Sequence, residues 1–270
     1  MTAAPLQARV AGVGLLGPGL ADWPQGAALL RAPAAWQRLA TLVHAPARLP
    51  ATERRRAGVL VKASVAVADA ACAHAGLDPA GLASVFASAT GDAANCHALC
   101  EALTLPERAV SPTRFTNSVH NAAAGYWHIA TGSKHASTSL AAHDASAAVA
   151  LLEALVQCAS TRQPVLLVVC DQPMPAPMNA LRPVHETFAF ALVLVPPAQG
   201  TGPLLSARLV PQRAATLMAA AAFEALRSAV PAARALPLLH GLAGAHSSDI
   251  AFDLQPGLSL HVQLAAAGAT

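Results

Sequence analysis

TNSVHNAAAGYWHIATGSKHASTSLAAHDASAAVALLEAL, residues 116–155, is the stretch that decides how this chain is interpreted. It begins as a polar segment with glycines, passes through a Ser/Thr run at 135–140 and ends as an Ala-rich helix that starts near His143. A strand that enters a buried helix through a tight bend often carries a nucleophile in α/β enzymes, because the helix N-terminus stabilises an anion there. Here the bend carries Ala141 and Ala142. The sequence therefore predicts a nucleophile elbow without its nucleophile.

Composition narrows the classes of protein that fit the chain. The 270 residues can bury a core as one large domain or two small ones. No uninterrupted apolar run reaches 18 residues, and the N-terminus lacks a basic flank before a long apolar run. We therefore expect neither membrane insertion nor secretion. Five cysteines without a framework spacing favour a reducing cytoplasm.

The charge pattern gives little support for nucleic acid binding. The net charge is only +3, and the chain has only ten aromatic residues that could stack on bases. The basic residues are dispersed except for Arg54-Arg55-Arg56, which we interpret as the solvated start of a helix. We expect no nucleic acid partner.

Apolar periodicity and turn residues predict the order of elements. We expect strands at 7–16, 82–90, 165–170, 187–195 and 203–210, and a terminal hairpin at 249–264 that turns at Pro256-Gly257. Helices are expected within 33–42, at 54–76 with Gly76 as the C-cap, at 93–103, at 143–159 and at 213–229. Residues 172–183 are predicted to form a mobile loop.

Several motifs that suggest common chemistry have simpler explanations. Gly12-x-Gly14-x-x-Gly17 matches a dinucleotide fingerprint, but Pro18-Gly19 starts a turn and no acidic residue stands at a second strand end about twenty residues later, so a structural role for the glycines is favoured over a nucleotide site. Cys96 and Cys100 could hold half of a metal site, but no second pair has ligand spacing. No metal is therefore predicted. A hydrolase elbow of the G-x-S-x-G type is absent from the sequence. A local helix-capping role for Asp144 or Ser146 is a simpler explanation than a catalytic role.

A series of short motifs along the chain is more informative than these single matches. In chain order they are Val10-Ala11-Gly12-Val13-Gly14 with Gly17-Pro18-x-Leu20, an Arg-rich start to a long Ala helix, Ala75-Gly76-Leu77-Asp78, Thr90-Gly91, Ser111-Pro112, Asn121 with Ala124-Gly125, Gly132-Ser133 and the bend. Their order across residues 8–196 resembles the N-terminal half of a β-ketoacyl synthase of the thiolase fold. The phrase SVHNAAAGYWHIATG and the helix ending LLEAL are similar to the short subunits that act as chain-length factors in aryl polyene and related polyketide systems.

The resemblance implies an α/β fold with thiolase-like αβαβα layers and two similar halves. It also implies a dimer in which the strand before the bend pairs across the interface. An active synthase carries a cysteine at the bend, which takes an acyl group from a carrier protein. Its second half supplies two histidines that assist decarboxylation and stabilise the oxyanion. No cofactor is implied.

This sequence departs from the family pattern at both catalytic features, the cysteine at the bend and the two histidines of the second half. Neither Ala141 nor Ala142 can form a thioester, and Cys158 and Cys170 lie too far along the chain to replace the thiol. We expect an essentially complete N-terminal half in residues 1–200 and a truncated second half in residues 201–270 that packs on it. His240, His246 and His261 are possible substitutes for the histidines, but no family motif surrounds them.

These departures lead to the hypothesis of a non-catalytic, cytoplasmic subunit that forms a heterodimer with an active ketosynthase. It would shape the acyl tunnel in polyene, fatty acid or polyketide elongation, and an acyl carrier protein would reach it through that complex. The residues predicted to line the interface or tunnel are Asn117, His120, Asn121, Tyr126, Trp127, Ser139 and His143. The alternative for the residues at 117–129 is that they pack the core of this subunit.

Two other functions remain open from the sequence. One is an active acyltransferase or hydrolase that uses Ser137, Thr138 or Ser139. The other is a stand-alone binding module for acyl chains or a carrier protein. Acyl labelling and association with a ketosynthase distinguish the three.

Overall fold

A single eight-stranded sheet forms the centre of the molecule. The structure is a computed structural model that describes residues 4–266. The strands are β1 (Leu6–Leu16), β2 (Ala83–Ala87), β3 (Ser137–Leu140), β4 (Val165–Asp171), β5 (Phe188–Val195), β6 (Leu204–Pro211), β7 (Ser248–Gln255) and β8 (Leu258–Ala265). Their order in the sheet is β3-β2-β4-β5-β1-β6-β8-β7. β2 runs parallel to β3 and β4, whereas the other neighbouring pairs are antiparallel.

Helices cover the sheet and connect its strands. They are α1 (Trp23–Arg31), α2 (Ala51–Arg56), α3 (Val59–Ala75), α4 (Ala93–Thr104), α5 (Pro112–Thr116), α6 (Ala122–Thr131), α7 (Ser146–Thr161), α8 (Ala176–Asn179), α9 (Ala221–Ala229) and α10 (Leu236–Gly244). Two short 3-10 turns matter for the site, His143–Ala145 before α7 and Pro231–Ala235 before α10.

The core lies in two layers, one on each face of the sheet. β4 and β5 are buried along their whole length, and alternate residues of each strand enter opposite layers. Leu166 and Val168 pack with α3 and α6, whereas Leu167 and Val169 pack with α7, α9 and α10. The described residues therefore form three layers, with one sheet between two layers of helices. The segment after residue 200 adds β6, β7 and β8 to the same sheet and does not build a second one.

Two glycines of β1 allow α3 to lie directly on the sheet. A Cβ atom at Gly12 would stand 2.1 Å from the carbonyl oxygen of Ala71, and one at Gly14 would stand 2.0 Å from that of Val67. No side chain fits at either position. The predicted structural role of Gly12 and Gly14 is confirmed, and the structure shows that this role is close packing against α3.

Most predicted elements are present, and some boundaries need correction. The strands, the terminal hairpin and the left-handed C-cap at Gly76 are confirmed. The short helix expected around 33–42 is only a three-residue 3-10 turn at Pro33–Ala35. The α-helix lies earlier, at α1, where the Asp22 side chain accepts from the backbone N of Gln25 and so fixes the start of the helix. The helix expected at 213–229 begins only at Ala221, because Thr216 donates its backbone N–H to Ala251 at the edge of β7.

The polar segment that opens the 116–155 stretch is largely helical. α5 and α6 occupy it up to Gly132, whose left-handed backbone ends α6. The predicted domain boundary at residues 200 and 201 falls between β5 and β6, and it stays a prediction. None of the helices in residues 4–266 is long and apolar enough to cross a membrane.

Candidate functional site at the bend between β3 and α7

The bend after β3 is fixed by a buried serine. Ala141 and Ala142 leave the strand, and His143 adopts a left-handed backbone with φ of 51°. The Ser146 hydroxyl accepts from the backbone N of Ala142 at 2.9 Å and donates to the His143 carbonyl at 2.7 Å. This hydroxyl holds the turn and has no exposure. Ser146 therefore closes the turn but caps neither the 3-10 turn nor α7, so its predicted capping role is wrong, and its hydroxyl is not a free nucleophile.

Asp144 ties the bend to two distant segments. Its two carboxylate oxygens each lie 2.9 Å from an arginine, Oδ1 from Nη2 of Arg182 and Oδ2 from Nη2 of Arg234. His143 Nδ1 stands 3.6 Å from Oδ1, which is beyond hydrogen-bond distance. Asp144 therefore anchors the loop after β4 and the 3-10 turn before α10, and it does not orient His143 as a base.

A groove of about 450 Å³ runs beside the bend. It is lined by Ala142, His143, Asp144, Ala145, Gln212, Arg234 and the hairpin tip 253–256. None of these side chains bears a thiol or a hydroxyl group. A thioester in this groove would therefore meet an exposed imidazole but no side chain that forms a stable acyl ester or thioester.

The hydroxyl groups of β3 lack a catalytic base. Ser137 Oγ accepts from Ser84 Oγ at 3.0 Å, and Thr138 Oγ1 accepts from Gln157 Nε2 at 2.9 Å. Within residues 4–266, no histidine or carboxylate forms a hydrogen bond with Ser137, Thr138 or Ser139. An activated serine needs such a partner to release its proton. The geometry therefore does not favour the hydrolase alternative.

The buried cysteines are poor nucleophiles. Burial raises the pKa of the Cys72 thiol to about 12 and that of the Cys158 thiol to about 11. Burial also raises the pKa of Cys170, beside the carboxylate of Asp171. Cys96 and Cys100 are exposed on α4. None of the five lines the groove at the bend.

The three histidines considered as substitutes also lie outside that groove. His240 packs edge-on against His246, and burial followed by the charge of His246 lowers the pKa of His240. His261 is buried on β8 between Asp249 and Arg208. The structure gives them no contact with the bend.

The predicted interface residues divide into a buried and an accessible group. Trp127 is 0% exposed, Asn117 6% and Tyr126 7%, and the Tyr126 hydroxyl donates to Asn117 Oδ1. These three pack the core of this subunit, which was the alternative considered for them. His120, Asn121 and His143 are exposed, and Ser139 is partly exposed on β3.

Sequence reasoning missed a buried carboxylate at the end of β4. Asp171 Oδ1 accepts from Ser88 Oγ at 2.9 Å, from the backbone N of Ala89 at 2.7 Å and from that of Thr90 at 3.0 Å. His120 Nε2 contacts the Ser88 carbonyl at 3.1 Å. An acidic residue directly after the apolar run VLLVVC was the available signal, because a carboxylate is rarely buried without partners.

Comparisons with known proteins agree with this architecture. No curated protein matches the sequence. The complex of the ketosynthase ApeO with its chain length factor ApeC from Xenorhabdus doucetiae is 21% identical with a TM-score of 0.72, over 96% of this chain and 99% of the matched chain. The ishigamide ketosynthase/chain length factor is 14% identical with a TM-score of 0.74, over 97% and 100%.

A third similar structure, AntDE:AntF, is a type II PKS acyl-carrier protein in complex with its ketosynthase. It is 13% identical with a TM-score of 0.77, over 97% of this chain and 99% of the matched chain. These similarities show a shared fold, and the predicted thiolase-like α/β fold is confirmed. A family model described as "Beta-ketoacyl synthase, N-terminal domain" matches residues 23–248. Because this match covers most of the sequence, the chain belongs to the family of the β-ketoacyl synthase N-terminal domain.

Proposed function

We propose that this chain is a non-catalytic β-ketoacyl synthase-like subunit of the chain-length-factor type, which pairs with an active ketosynthase and shapes the acyl tunnel. The observation that carries the proposal is the bend, where Ala141, Ala142 and His143 stand in place of a thiol or hydroxyl nucleophile. Two of the similar structures are complexes of a ketosynthase with a chain length factor, which supports the pairing. The proposal includes a cytoplasmic location and access by a carrier protein through the complex.

The free edge of β3 supports strand pairing with the partner. β3 is the last strand on one side of the sheet. The carbonyls of Ala136 and Leu140 accept from β2, so the intervening peptide groups of Ser137 and Ser139 point away from it. Unpaired outward N–H and C=O groups form a template for another strand.

Apolar side chains flank this edge on both faces of the sheet. α6 and α7 lie on opposite faces and both contact β2, the neighbour of β3. Ile129 of α6 is 57% exposed and Val156 of α7 is 41% exposed. A partner strand that brings its own helices would cover these side chains. His120, Asn121, Ser139 and His143 remain the proposed polar contacts.

Replacement of Ser139 by proline is expected to weaken association with the ketosynthase at least tenfold. Proline removes the outward N–H of Ser139, whereas the bonds from Ala136 and Leu140 to β2 remain. The measurement is co-purification with a co-expressed ketosynthase, followed by titration of the two purified proteins.

Ser139→Ala is the matched control, because it keeps the backbone N–H and removes only the hydroxyl. We expect Ser139→Ala to bind like the unmodified chain. Loss of binding in both variants would assign the effect to the hydroxyl, and equal binding by both would exclude pairing through this edge. Failure of the unmodified chain to bind any ketosynthase would overturn the proposed function.

Acyl labelling tests the non-catalytic part of the proposal. After incubation with an acylated carrier protein, intact mass spectrometry is expected to show no acyl adduct on this chain and an adduct on the ketosynthase. The physical reason is the absence of an activated hydroxyl at β3 and the raised pKa values of Cys72 and Cys158. A stoichiometric adduct at Ser137, Thr138 or Ser139 would instead support the acyltransferase alternative.

A further inference from the structure

A cavity of about 290 Å³ lies between α1, α10, β7 and the segment 216–220 that precedes α9. It shares no lining residue with the groove at the bend, and we call it the α10 cavity. Most of its wall is apolar, and Leu30, Phe223 and Ile250 in that wall are each at most 1% exposed. An engineered apolar cavity of roughly 150 Å³ already holds a benzene molecule, so the α10 cavity has room for a larger hydrocarbon.

The segment before α9 is fixed in place as one wall of the cavity. Thr216 donates its backbone N–H to the carbonyl of Ala251, and its Oγ1 accepts from the backbone N of Ala251 at 2.9 Å. The backbone N of Met218 donates to Glu224 Oε2 at 2.8 Å. Because these bonds tie the segment to β7 at one end and to α9 at the other, the cavity exists before any ligand arrives, which lowers the entropic cost of binding.

The side chains of the wall leave the cavity open. The ring of Phe223 is stacked on Trp36, with centroids 4.3 Å apart and planes 15° apart, so it is not free to turn into the space. Ala219 and Ala220 contribute only methyl groups. Leu217 is 62% exposed, so most of its side chain lies in solvent. Atoms that face a void lose van der Waals contacts on that side, and an occupant of the cavity would restore them.

One imidazole in the wall has no hydrogen-bond partner. His240 of α10 is half-buried, and within residues 4–266 neither of its ring nitrogens forms a hydrogen bond. Burial, followed by the charge of His246, lowers the pKa of His240, so the ring is uncharged at neutral pH. A neutral imidazole donates from one nitrogen and accepts at the other. His240 therefore offers an unused hydrogen-bonding group to an occupant.

The charges of the wall favour an uncharged occupant. Among residues 4–266, Asp249 is the only charged side chain that lines the cavity. Its Oδ1 is bound to His261 Nε2 and lies 3.8 Å from Nη1 of Arg213. An anion in the cavity would meet a carboxylate and no cation, and an ammonium group would have to compete with His261 and Arg213. Burying an ion without a partner costs far more than burying a hydroxyl group that is hydrogen-bonded.

We propose that the α10 cavity binds a small uncharged alcohol, with the hydrocarbon part against the apolar wall and the hydroxyl group on His240. The hydrocarbon part leaves water and gains contacts with buried side chains. The hydroxyl group can donate to one imidazole nitrogen or accept from the other. The site is independent of the proposed pairing with a ketosynthase, since it uses neither β3 nor the bend.

Methionine methyl signals report on the cavity locally. Met218 is 9% exposed and lines the cavity, whereas Met174 and Met178 lie in the loop after β4. In nuclear magnetic resonance spectra of the full chain labelled at its methionine methyl groups, titration with 1-hexanol at neutral pH is expected to shift the Met218 signal saturably in the millimolar range. The signals of Met174 and Met178 are expected to stay in place. Met218→Leu identifies the Met218 signal by its loss.

Hexanoate tests the selection for an uncharged ligand. It has the same chain length as 1-hexanol, and it is expected to bind about tenfold more weakly because its carboxylate finds no cation in the wall. Equal affinity for the two compounds would overturn the proposal. So would a Met218 signal that does not move with 1-hexanol, or equal shifts of the Met174, Met178 and Met218 signals, which indicate non-specific binding.

Variants at two histidines test the hydroxyl contact. His240→Leu removes the ring nitrogens and keeps an apolar side chain, and it is expected to weaken 1-hexanol binding about tenfold. His246 is exposed and does not line the cavity, so His246→Leu is the matched control and should stay within about twofold of the unmodified chain. Equal losses in both variants, or unchanged binding by His240→Leu, would overturn the assignment of the hydroxyl group to His240.

A cavity-filling variant keeps the proposal testable if His240→Leu does not fold. Ala220→Leu places a larger apolar side chain in the wall and is expected to abolish the shift of the Met218 signal with 1-hexanol. Its circular dichroism spectrum should match that of the unmodified chain. Retention of full 1-hexanol affinity in this folded variant would show that the alcohol binds elsewhere, and the proposed site would be wrong.

Discussion

Replacement of Gly14 by valine is expected to destabilise the fold by at least about 3 kcal/mol, which is a large part of the stability of an ordinary domain. The added Cβ would stand 2.0 Å from the carbonyl oxygen of Val67. That oxygen belongs to the backbone of α3, so no side-chain rotation relieves the clash and the helix must move away from β1. The free energy of unfolding, measured by urea denaturation of the soluble fraction, is the appropriate readout.

Gly125→Ala is the matched control for this substitution. Gly125 lies inside α6, and a Cβ there meets no atom within 4 Å. Alanine is the better helix former by about 1 kcal/mol, so this variant should be neutral or more stable. If Gly14→Val unfolds at the same urea concentration as Gly125→Ala, the close contact between β1 and α3 does not limit stability.

Replacement of Asp171 by alanine is expected to cost about 2–4 kcal/mol, because it removes the buried acceptor of the backbone N–H groups of Ala89 and Thr90, which are themselves half-buried. The same oxygen also accepts from the hydroxyls of Ser88 and Thr90. The variant should unfold at lower urea concentration. Amide hydrogen exchange should become faster at residues 88–91, since the loop loses its anchor.

Asp171→Asn separates the hydrogen bonds from the charge. The amide keeps an accepting oxygen in the place of Oδ1, and its nitrogen replaces Oδ2, which has no hydrogen-bond partner within the described residues. We expect a loss of about 1–2 kcal/mol, because the remaining bonds are no longer assisted by charge. A loss in the alanine variant no larger than that in the asparagine variant would show that these bonds contribute little.

Local rules predicted strands such as β1, β4 and β5 because each has a strong apolar signal with turn residues at its ends. They failed where tertiary contacts decide the conformation. Residues 213–220 are rich in alanine, but backbone bonding of Thr216 to β7 keeps them out of a helix. The burial of Tyr126 and Trp127 could not be predicted from the sequence either, since an aromatic residue on a helix is compatible with a core or with an interface.

The sequence shows which residues lie at the bend, but it does not show which distant residues hold them in place. Ala141 and Ala142 indicated the missing nucleophile directly, because a residue type excludes a reaction without any knowledge of geometry. The arginines that hold Asp144 come from positions 182 and 234, and no local pattern links them to the bend. No local pattern links Asp171 to the loop at 88–90 either, because the two are about eighty residues apart.

The position of β1 has a consequence for synthesis of the chain. β1 lies between β5 and β6, so the two strands that flank it follow it by about 180 residues in the chain. Loop closure over such distances is slow, and partly made chains expose unpaired strands that aggregate. The nascent glycine-rich strand must therefore stay accessible until residue 207 has emerged. A chaperone that protects β1 during translation is therefore expected to raise the yield of the folded chain.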